Sequence, residues 1–505
     1  MIGLNPLLAQ IGPVWLTTWF TPIWIISVGA IIGLLVLLAL WGILAIFSRQ
    51  AAADVPDVVS EGPMMWVLVV TILFAIFGFA GFAFVHAPTE IIASVPRFMA
   101  TGVQTPTITV PVTSVDEFYE IQLQYPVLGR ELSLFQVETD QPIFIGEATE
   151  NQATEDMIEV LYSNPFEWIR GKESISPIGD ASVSKLMVAN FGGTEATVKL
   201  TIGTKPIYPQ SWTIVVSALS VIGVFVVYFV QQWVFPKMSA IALSTCKSHL
   251  ASPIFLILTV FGAFTLSVFI FIPYNTFGDD IKMLKDSGFT LIMVLAIVHA
   301  ILAASSSVAD EIDGKTALTV LSKPVGRRQF VFGKFIGISW SVAVLFVVLG
   351  AVFIVLVAYK PVYDARETSK MAPLWEDSYV EVVRTVPGLV LAFLETVVLT
   401  ALSVAISTRL PLLPNIAICF AIYTLGHLTP LLVQSGVGSL PPVAFMGIFI
   451  SAVLPVLEAF NIQAAVAAGR EVPYTYLLWA LLYCSLYSLV AMLLALILFE
   501  DRDLA

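Results

Sequence analysis

The feature that most constrains this chain is a series of apolar runs, each about as long as a membrane is thick. A helix rises about 1.5 Å per residue, so about 20 apolar residues cross the hydrocarbon core. Nine stretches qualify: 23–47, 63–85, 212–234, 253–272, 289–306, 335–359, 387–407, 413–433 and 474–498. A tenth, 441–457, is shorter and broken by Pro455, and it reads as a re-entrant or interfacial hairpin. Charged residues make up 12% of the 505, against about 25% in soluble domains. So little charge cannot clothe a water-exposed globule, and the expected fold class is a polytopic α-helical membrane protein. The first 20 residues lack a basic segment and no small-x-small cleavage site follows. The run 23–47 is therefore expected to stay as an anchor rather than be removed as a signal peptide.

Charge sets the expected orientation, because cytoplasmic loops collect Lys and Arg. The loop 308–334 carries Lys315, Lys323, Arg327, Arg328 and Lys334 and is placed inside. Alternation then puts Lys237, Lys247, Arg409 and the C-terminus in the cytoplasm, with the N-terminus outside. The outer loop 360–384 runs against the bias with four basic residues, beside the acidic Asp364, Glu367, Glu376, Asp377 and Glu381.

Residues 86–210 also fall outside, and they hold 16 Asp plus Glu against 7 Lys plus Arg. This segment has the turn and alternation signals of short strands. Thr107–Val112, Tyr119–Leu123 and Glu131–Val137 are candidates, and 183–207 reads as a strand pair turning at Asn190-Phe191-Gly192-Gly193. The expectation is an inserted extracytoplasmic all-β, sandwich-like domain. The alternative is an irregular insertion with one hairpin. The three cysteines (Cys246, Cys419, Cys484) lie elsewhere, so no disulfide is expected in this domain. The expected divisions are residues 1–86 with two spans, 87–210 as the acidic β domain, 211–236 as a third span, and 237–505 as a six-span core.

Two segments flank the core spans. Residues 239–250 mix apolar and polar positions, carry Lys247 and His249, and end before Ser252-Pro253, as an amphipathic surface helix would. Residues 305–337 read SSSVADEIDGKTALTVLSKPVGRRQFVFGKFIG. Acidic residues come first, then Gly314, a short apolar run, a Pro-Gly turn and a basic helix start. By charge alone this is a solvated loop that enforces topology. Gly314-Lys315-Thr316 matches the end of a phosphate-binding loop, but Ala309 stands where the first glycine belongs and no strand precedes it, so ATP binding is not expected.

The order of these residues resembles the intracellular loop of type 2 ABC transporter permeases. Glu311, Gly314, Thr316, Leu321, Pro324-Val325-Gly326-Arg327 and Gly333-Lys334-Phe335-Ile336-Gly337 carry the resemblance. The segment 239–255 is similar to that family's amphipathic helix before the first core span. The ending Phe499-Glu500-Asp501-Arg502-Asp503-Leu504 resembles the family's C-terminal pattern. The resemblance covers about 233–505. It departs from the family at Asp313 and Lys315, and in the three extra spans and acidic domain of the first 235 residues. It implies a permease subunit of an ATP-driven exporter, with a cytoplasmic ABC ATPase dimer and a second permease copy or homologue as partners. It also implies Lys247, Asp310, Glu311, Gly314, Thr316, Pro324, Arg327, Arg328 and Lys334 as residues that couple to the motor. A permease that conveys motion to an extracytoplasmic partner, and a membrane scaffold or sensor without an ATPase, are the other readings.

Four polar residues within apolar stretches are candidates for a path through the membrane: His299, Glu395, His427 and Glu458. A charge at mid-bilayer costs about 2.5–3.5 kcal/mol on insertion scales, so such groups face a cavity or a partner. The blander reading is a hydrogen-bonded group between helices. Gly29/Gly33 and Gly333/Gly337 have the small-x-x-x-small spacing that permits close helix contact, a weak signal in a glycine-rich apolar chain. No catalytic constellation, metal-ligand spacing or cofactor motif is found, and the net charge of −12 argues against nucleic acid.

Overall fold

The computed structural model describes residues 14–113, 118–149, 152–153, 157–162, 165–172, 176–180, 182–272, 280–314, 325–369, 371, 373–434, 445, 453–462, 465 and 472–500. The chain forms two compact units, Ala87–Val216 and the remainder.

The larger unit is helical. Its helices are α1 Val14–Phe47, α2 Arg49–Ser60, α3 Pro63–Ala80, α5 Trp212–Val234, α6 Pro236–Leu250, α7 Pro253–Phe269, α8 Asp280–Ala304, α10 Arg327–Glu367, α11 Trp375–Ser407, α12 Leu412–Gln434 and α13 Tyr474–Glu500, with a one-turn α9 at Asp310–Asp313; α4 belongs to the other unit. Among the described residues seven helices are long and apolar enough to cross a membrane. Their outward faces expose Leu35, Phe79, Leu219, Trp479 and Val490. Apolar exposure on this scale exceeds what a water-soluble monomer carries, and it marks the solvent of those faces as lipid.

One of the nine expected spans falls short of that length. Residues 253–272 form the 17-residue α7, which continues from α6 across a 62° bend, so that the two together make an eighth candidate. Ser252 and Pro253 cause the break. Pro253 opens α7 without needing a donor, and the Ser252 hydroxyl accepts from the Ile254 amide at 3.3 Å. In α12 the apolar described stretch is Leu412–Leu428. The tenth segment, 441–457, lies mostly outside the described residues.

Other helices outrun their apolar windows. The 41-residue α10 begins at Arg327 and ends at Glu367, and α11 begins at Trp375, with Pro387 inside it. Most of the expected outer loop 360–384 is therefore helix. Charge does not end these helices because it is paired: the Lys285 ammonium meets Glu381, and Lys360 meets Asp364 at 2.8 Å and the Ile270 carbonyl at 3.2 Å. Two-thirds (67%) of the most apolar windows of α8 and α11 is buried, against 11% for α1, so α8, α10 and α11 are the centre. Helix α1 docks by indole hydrogen bonds on α10, with Trp19 donating to the Val355 carbonyl at 3.2 Å, and on α3, with Trp24 donating to that of Gly78 at 2.9 Å.

The smaller unit holds two five-stranded sheets. One contains β1 Val103–Gln104, β2 Thr107–Val110, β4 Leu132–Thr139, β8 Phe166–Ile169 and β10 Ala196–Thr204; the other contains β3 Tyr119–Leu128, β5 Ile143–Thr149, β6 Gln152–Ala153, β7 Ile158–Val160 and β9 Ser182–Ala189. All described pairings are antiparallel. Alternate residues of β10 (Ala196, Val198, Leu200, Ile202) share one buried core with Ile121, Ile145 and Val188 of the other sheet. This is a sandwich interior.

Two expectations are corrected. The unit is not all β, because α4 (Pro88–Arg97) belongs to it. The segment 183–207 is not a hairpin: β9 pairs with β3 and β5, whereas β10 pairs with β1, β2 and β4. The turn between them changes sheets, and buried Asn190 holds it. Its amide nitrogen donates to the Val110 and Thr194 carbonyls at 3.2 and 3.0 Å, and its oxygen accepts from the Gly192 amide at 2.9 Å.

Helix α4 is tied down by Arg97, which forks onto Glu131 with contacts of 2.9 and 2.5 Å. Glu131 is 2% exposed, and its hydrogen bond pushes the Arg97 guanidinium above its ordinary value. Removing one partner of a buried pair strands the other charge. Arg97→Ala is expected to cost roughly 3 kcal/mol, read by hydrogen-exchange mass spectrometry as faster exchange across 87–139 with the helical unit unchanged.

Candidate functional site

The first turns of α10 collect side chains from three other elements, α6, α9 and α13. Phe330, fully buried, stacks on Phe499 of α13 at 5.8 Å between ring centroids. Arg327 lies over the Phe499 ring and donates to the Glu500 carbonyl at 2.9 Å. Arg409 donates to the Leu498 carbonyl at 2.7 Å. The last carbonyls of a helix lack partners and carry its negative dipole end, so two guanidiniums there satisfy both needs.

The approach from α8 runs through a turn of π-helix, Ser305–Ala309. A π turn widens the helix and releases backbone groups. Buried Asn415 of α12 fills the gap, with its amide nitrogen 3.1, 2.9 and 2.8 Å from the hydroxyls of Ser305, Ser403 and Ser407. The chain then enters α9, where Glu311 accepts from the Lys334 ammonium at 2.6 Å. Lys334, 7% exposed, also lies over the Phe330 ring.

Helix α6 packs on the same turns of α10 through glycine. A Cβ at Gly337 would stand 2.5 Å from the Ala242 carbonyl oxygen, and one at Gly333 would stand 2.8 Å from the Ile241 Cβ. The buried stripe of α6 is Ser239, Ala242, Thr245, Cys246 and His249, spaced for one helix face. Lys247 lies off that stripe and reaches Glu61, between α2 and α3, at 2.6 Å. The Lys247 hydrogen bond and charge hold the Glu61 carboxyl below its ordinary value.

Of the coupling residues expected from the sequence, Glu311, Arg327 and Lys334 thus come together around Phe330 and Phe499. Lys247 stands on the neighbouring helix. Asp310, Gly314 and Arg328 are exposed. Thr316 and Pro324 lie outside the described residues. The Phe330–Phe499 stack and the Asn415 cluster were not expected. Phe330 and Phe499 are 169 residues apart, and only the fold brings them together.

The four polar candidates divide into two places. His299 Nε2 lies 2.9 Å from the Ser341 hydroxyl. That hydroxyl gives its own proton to the Ile338 carbonyl at 2.8 Å, so His299 is the donor. His249 and Phe255 ring it at 6.1 and 5.4 Å. Glu395 and His427 face each other elsewhere, across a small cavity that Asn461 also lines, and the Asn461 amide is 3.4 Å from the Glu458 carboxylate. A separate apolar groove of about 890 Å³ runs among α5, α10, α11 and α13, with Val227, Phe335, Phe393 and Leu489 in its walls. Among the described residues no three His, Cys, Asp or Glu side chains are grouped to hold a metal ion.

No model of a known protein family matches the sequence. No curated protein matches it either.

Gly337→Leu is expected to lower stability by about 3 kcal/mol, because the new Cβ meets backbone that cannot yield. Thermal unfolding in detergent checks this against Gly42→Leu, where a Cβ meets nothing within 4 Å and little change is expected. The Glu61–Lys247 tie is expected to depend on pH. A carboxyl lowered in the folded state contributes stability above its unfolded value and loses it as pH falls through the lowered one. Protection factors at 58–64, corrected for the intrinsic pH dependence of amide exchange, should therefore fall on acidification in the wild type and stay constant in Glu61→Gln.

Proposed function

We propose that this chain is the membrane-spanning permease subunit of an ATP-driven ABC exporter, working with a separate cytoplasmic ATPase dimer and a second permease copy or homologue. The single observation that carries this reading is the convergence at the first turns of α10. The three segments that resemble type 2 ABC permeases lie far apart in the chain: the helix around 239–250, the loop 305–337 and the C-terminal end. Ile241, Glu311 and Phe499 all meet α10 between Arg327 and Gly337. A force applied to α6 or to the exposed Asp310, Gly314 and Arg328 would pass directly into one rigid helix about 60 Å long.

In this proposal nine helices cross the membrane, the N-terminus is outside, the C-terminus is cytoplasmic and the β unit is extracytoplasmic. ATP closes the partner dimer, α6 and the 310–328 segment take up the motion, and α10 carries it across the membrane to change access between α5, α10, α11 and α13. The apolar groove there suits an apolar substrate or membrane lipid. A second reading is favoured by the β unit, which has its own core and sheets. On that reading the ATP-driven motion reaches an extracytoplasmic partner and no solute moves.

Affinity purification of the full chain from its own cells tests the motor. An ABC ATPase is expected to co-purify, and Glu311→Ala with Arg327→Ala is expected to cut its recovery by about tenfold, a loss of about 1.4 kcal/mol. Absence of any ATPase from the wild-type preparation would remove the proposal. ATP-dependent solute flux in proteoliposomes separates the two readings.

A further inference from the structure

Glu395 sits on α11 with its side chain 3% exposed. Among the described residues its Oε1 has no hydrogen-bond partner. It lines a cavity of about 110 Å³ with Thr290, Tyr423, His427 and Asn461, walled by Phe289 and Phe460. The space accommodates a few water molecules. A buried polar atom without a partner costs about 1–3 kcal/mol, and more if charged.

The facing group is His427. Its Nδ1 is 3.1 Å from the Tyr423 carbonyl oxygen, and a carbonyl oxygen only accepts. Nδ1 therefore carries the hydrogen, and in a neutral imidazole Nε2 is left with a lone pair. That Nε2 points at Glu395 Oε1 from 3.5 Å. With the carboxyl ionised and the imidazole neutral, two acceptors oppose each other in a buried space. Their separation is longer than a formed hydrogen bond and short enough to close into one.

We propose that Glu395 and His427 together form a buried site for one exchangeable proton. The uptake step is balanced: a carboxylate, a neutral imidazole and a hydronium ion give a carboxylic acid donating to Nε2 and a water molecule. One hydronium O–H bond breaks as one carboxyl O–H bond forms, and the pair goes from one negative charge to none. The other ionisable groups that face the pair are Tyr423 of α12 and Glu458 of the 3-10 turn Leu457–Phe460. From α8 come Phe289, Thr290 and Met293, none of them ionisable. Glu458 lies on the Asn461 side, 3.4 Å from the Asn461 amide. The site rests on these side chains alone and stands whether or not an ATPase partner is found.

Infrared difference spectroscopy of the full chain in lipid nanodiscs, titrated with acid in metal-free buffer, tests the site. A carboxylic-acid C=O band that titrates as one proton is expected, and Glu395→Gln is expected to lose it. His427→Gln should move the titration midpoint by about one pH unit or more, as a coupled pair requires. If Glu395→Gln does not fold, Glu395→Asp should shift the frequency of the same band. A band untouched by either Glu395 variant, or a midpoint indifferent to His427→Gln, overturns the proposal. So does loss of the wild-type band on adding Na⁺ or Zn²⁺ at constant pH, which would make the ligand a metal ion.

Discussion

The close approach of α6 to α10 governs the arrangement of the larger unit. Two glycines one helical turn apart, Gly333 and Gly337, let the backbone of α6 rest against α10 where a single methyl would collide with the Ala242 carbonyl. With α6 seated, the bend at Ser252-Pro253 directs α7 away at 62°, and His249 comes to rest against His299. Lipid gives apolar helices little reason to associate with one another, so contact depth and dispersion take the place of the hydrophobic effect. Small residues at this one seam therefore count for more than any single large apolar side chain.

Polar groups perform the second task, which is to finish the helices where the apolar windows end. Arg327 and Arg409 take carbonyls in the last described turn of α13, Asn415 closes the π turn after α8, and Lys360 takes the Ile270 carbonyl beyond the end of α7. The three cations sit on backbone carbonyls, and the Asn415 amide sits on the hydroxyls of Ser305, Ser403 and Ser407. Glu395 is one of several buried groups without such a partner among the described residues. What sets it apart is that its oxygen faces the Nε2 lone pair of His427 from 3.5 Å rather than a donor.

The β unit is held by different forces. Its two sheets bury alternating Val, Leu and Ile faces in one core, and the sheet-changing turn depends on the three hydrogen bonds of Asn190. Among the described residues of this segment the acidic side chains stay exposed or half-buried, except Glu131, which is buried with Arg97 beside it. Without disulfides in this segment, burial and pairing carry its stability.

Much was legible in the residues themselves. Hydropathy locates the apolar windows, since partition between water and lipid depends on composition over about 20 residues and little on neighbours. Period-two alternation locates β2, β3, β4, β9 and β10 for a similar local reason. Helix ends were not legible. Lys360 and Glu381 read as loop residues until their partners are known, and α10 and α11 run through them. The partnership of β9 and β10 was misread because a turn signal reports that the chain reverses, not which sheet receives it. Glu311, Arg327 and Lys334 stood out as charges, yet their gathering around Phe330 and Phe499 was invisible, as was the opposition of Glu395 and His427. The sequence by itself determined which segments leave water and which form strands. The tertiary structure decided which distant side chains meet, because those contacts depend on helix packing depth and rotation that no local pattern encodes.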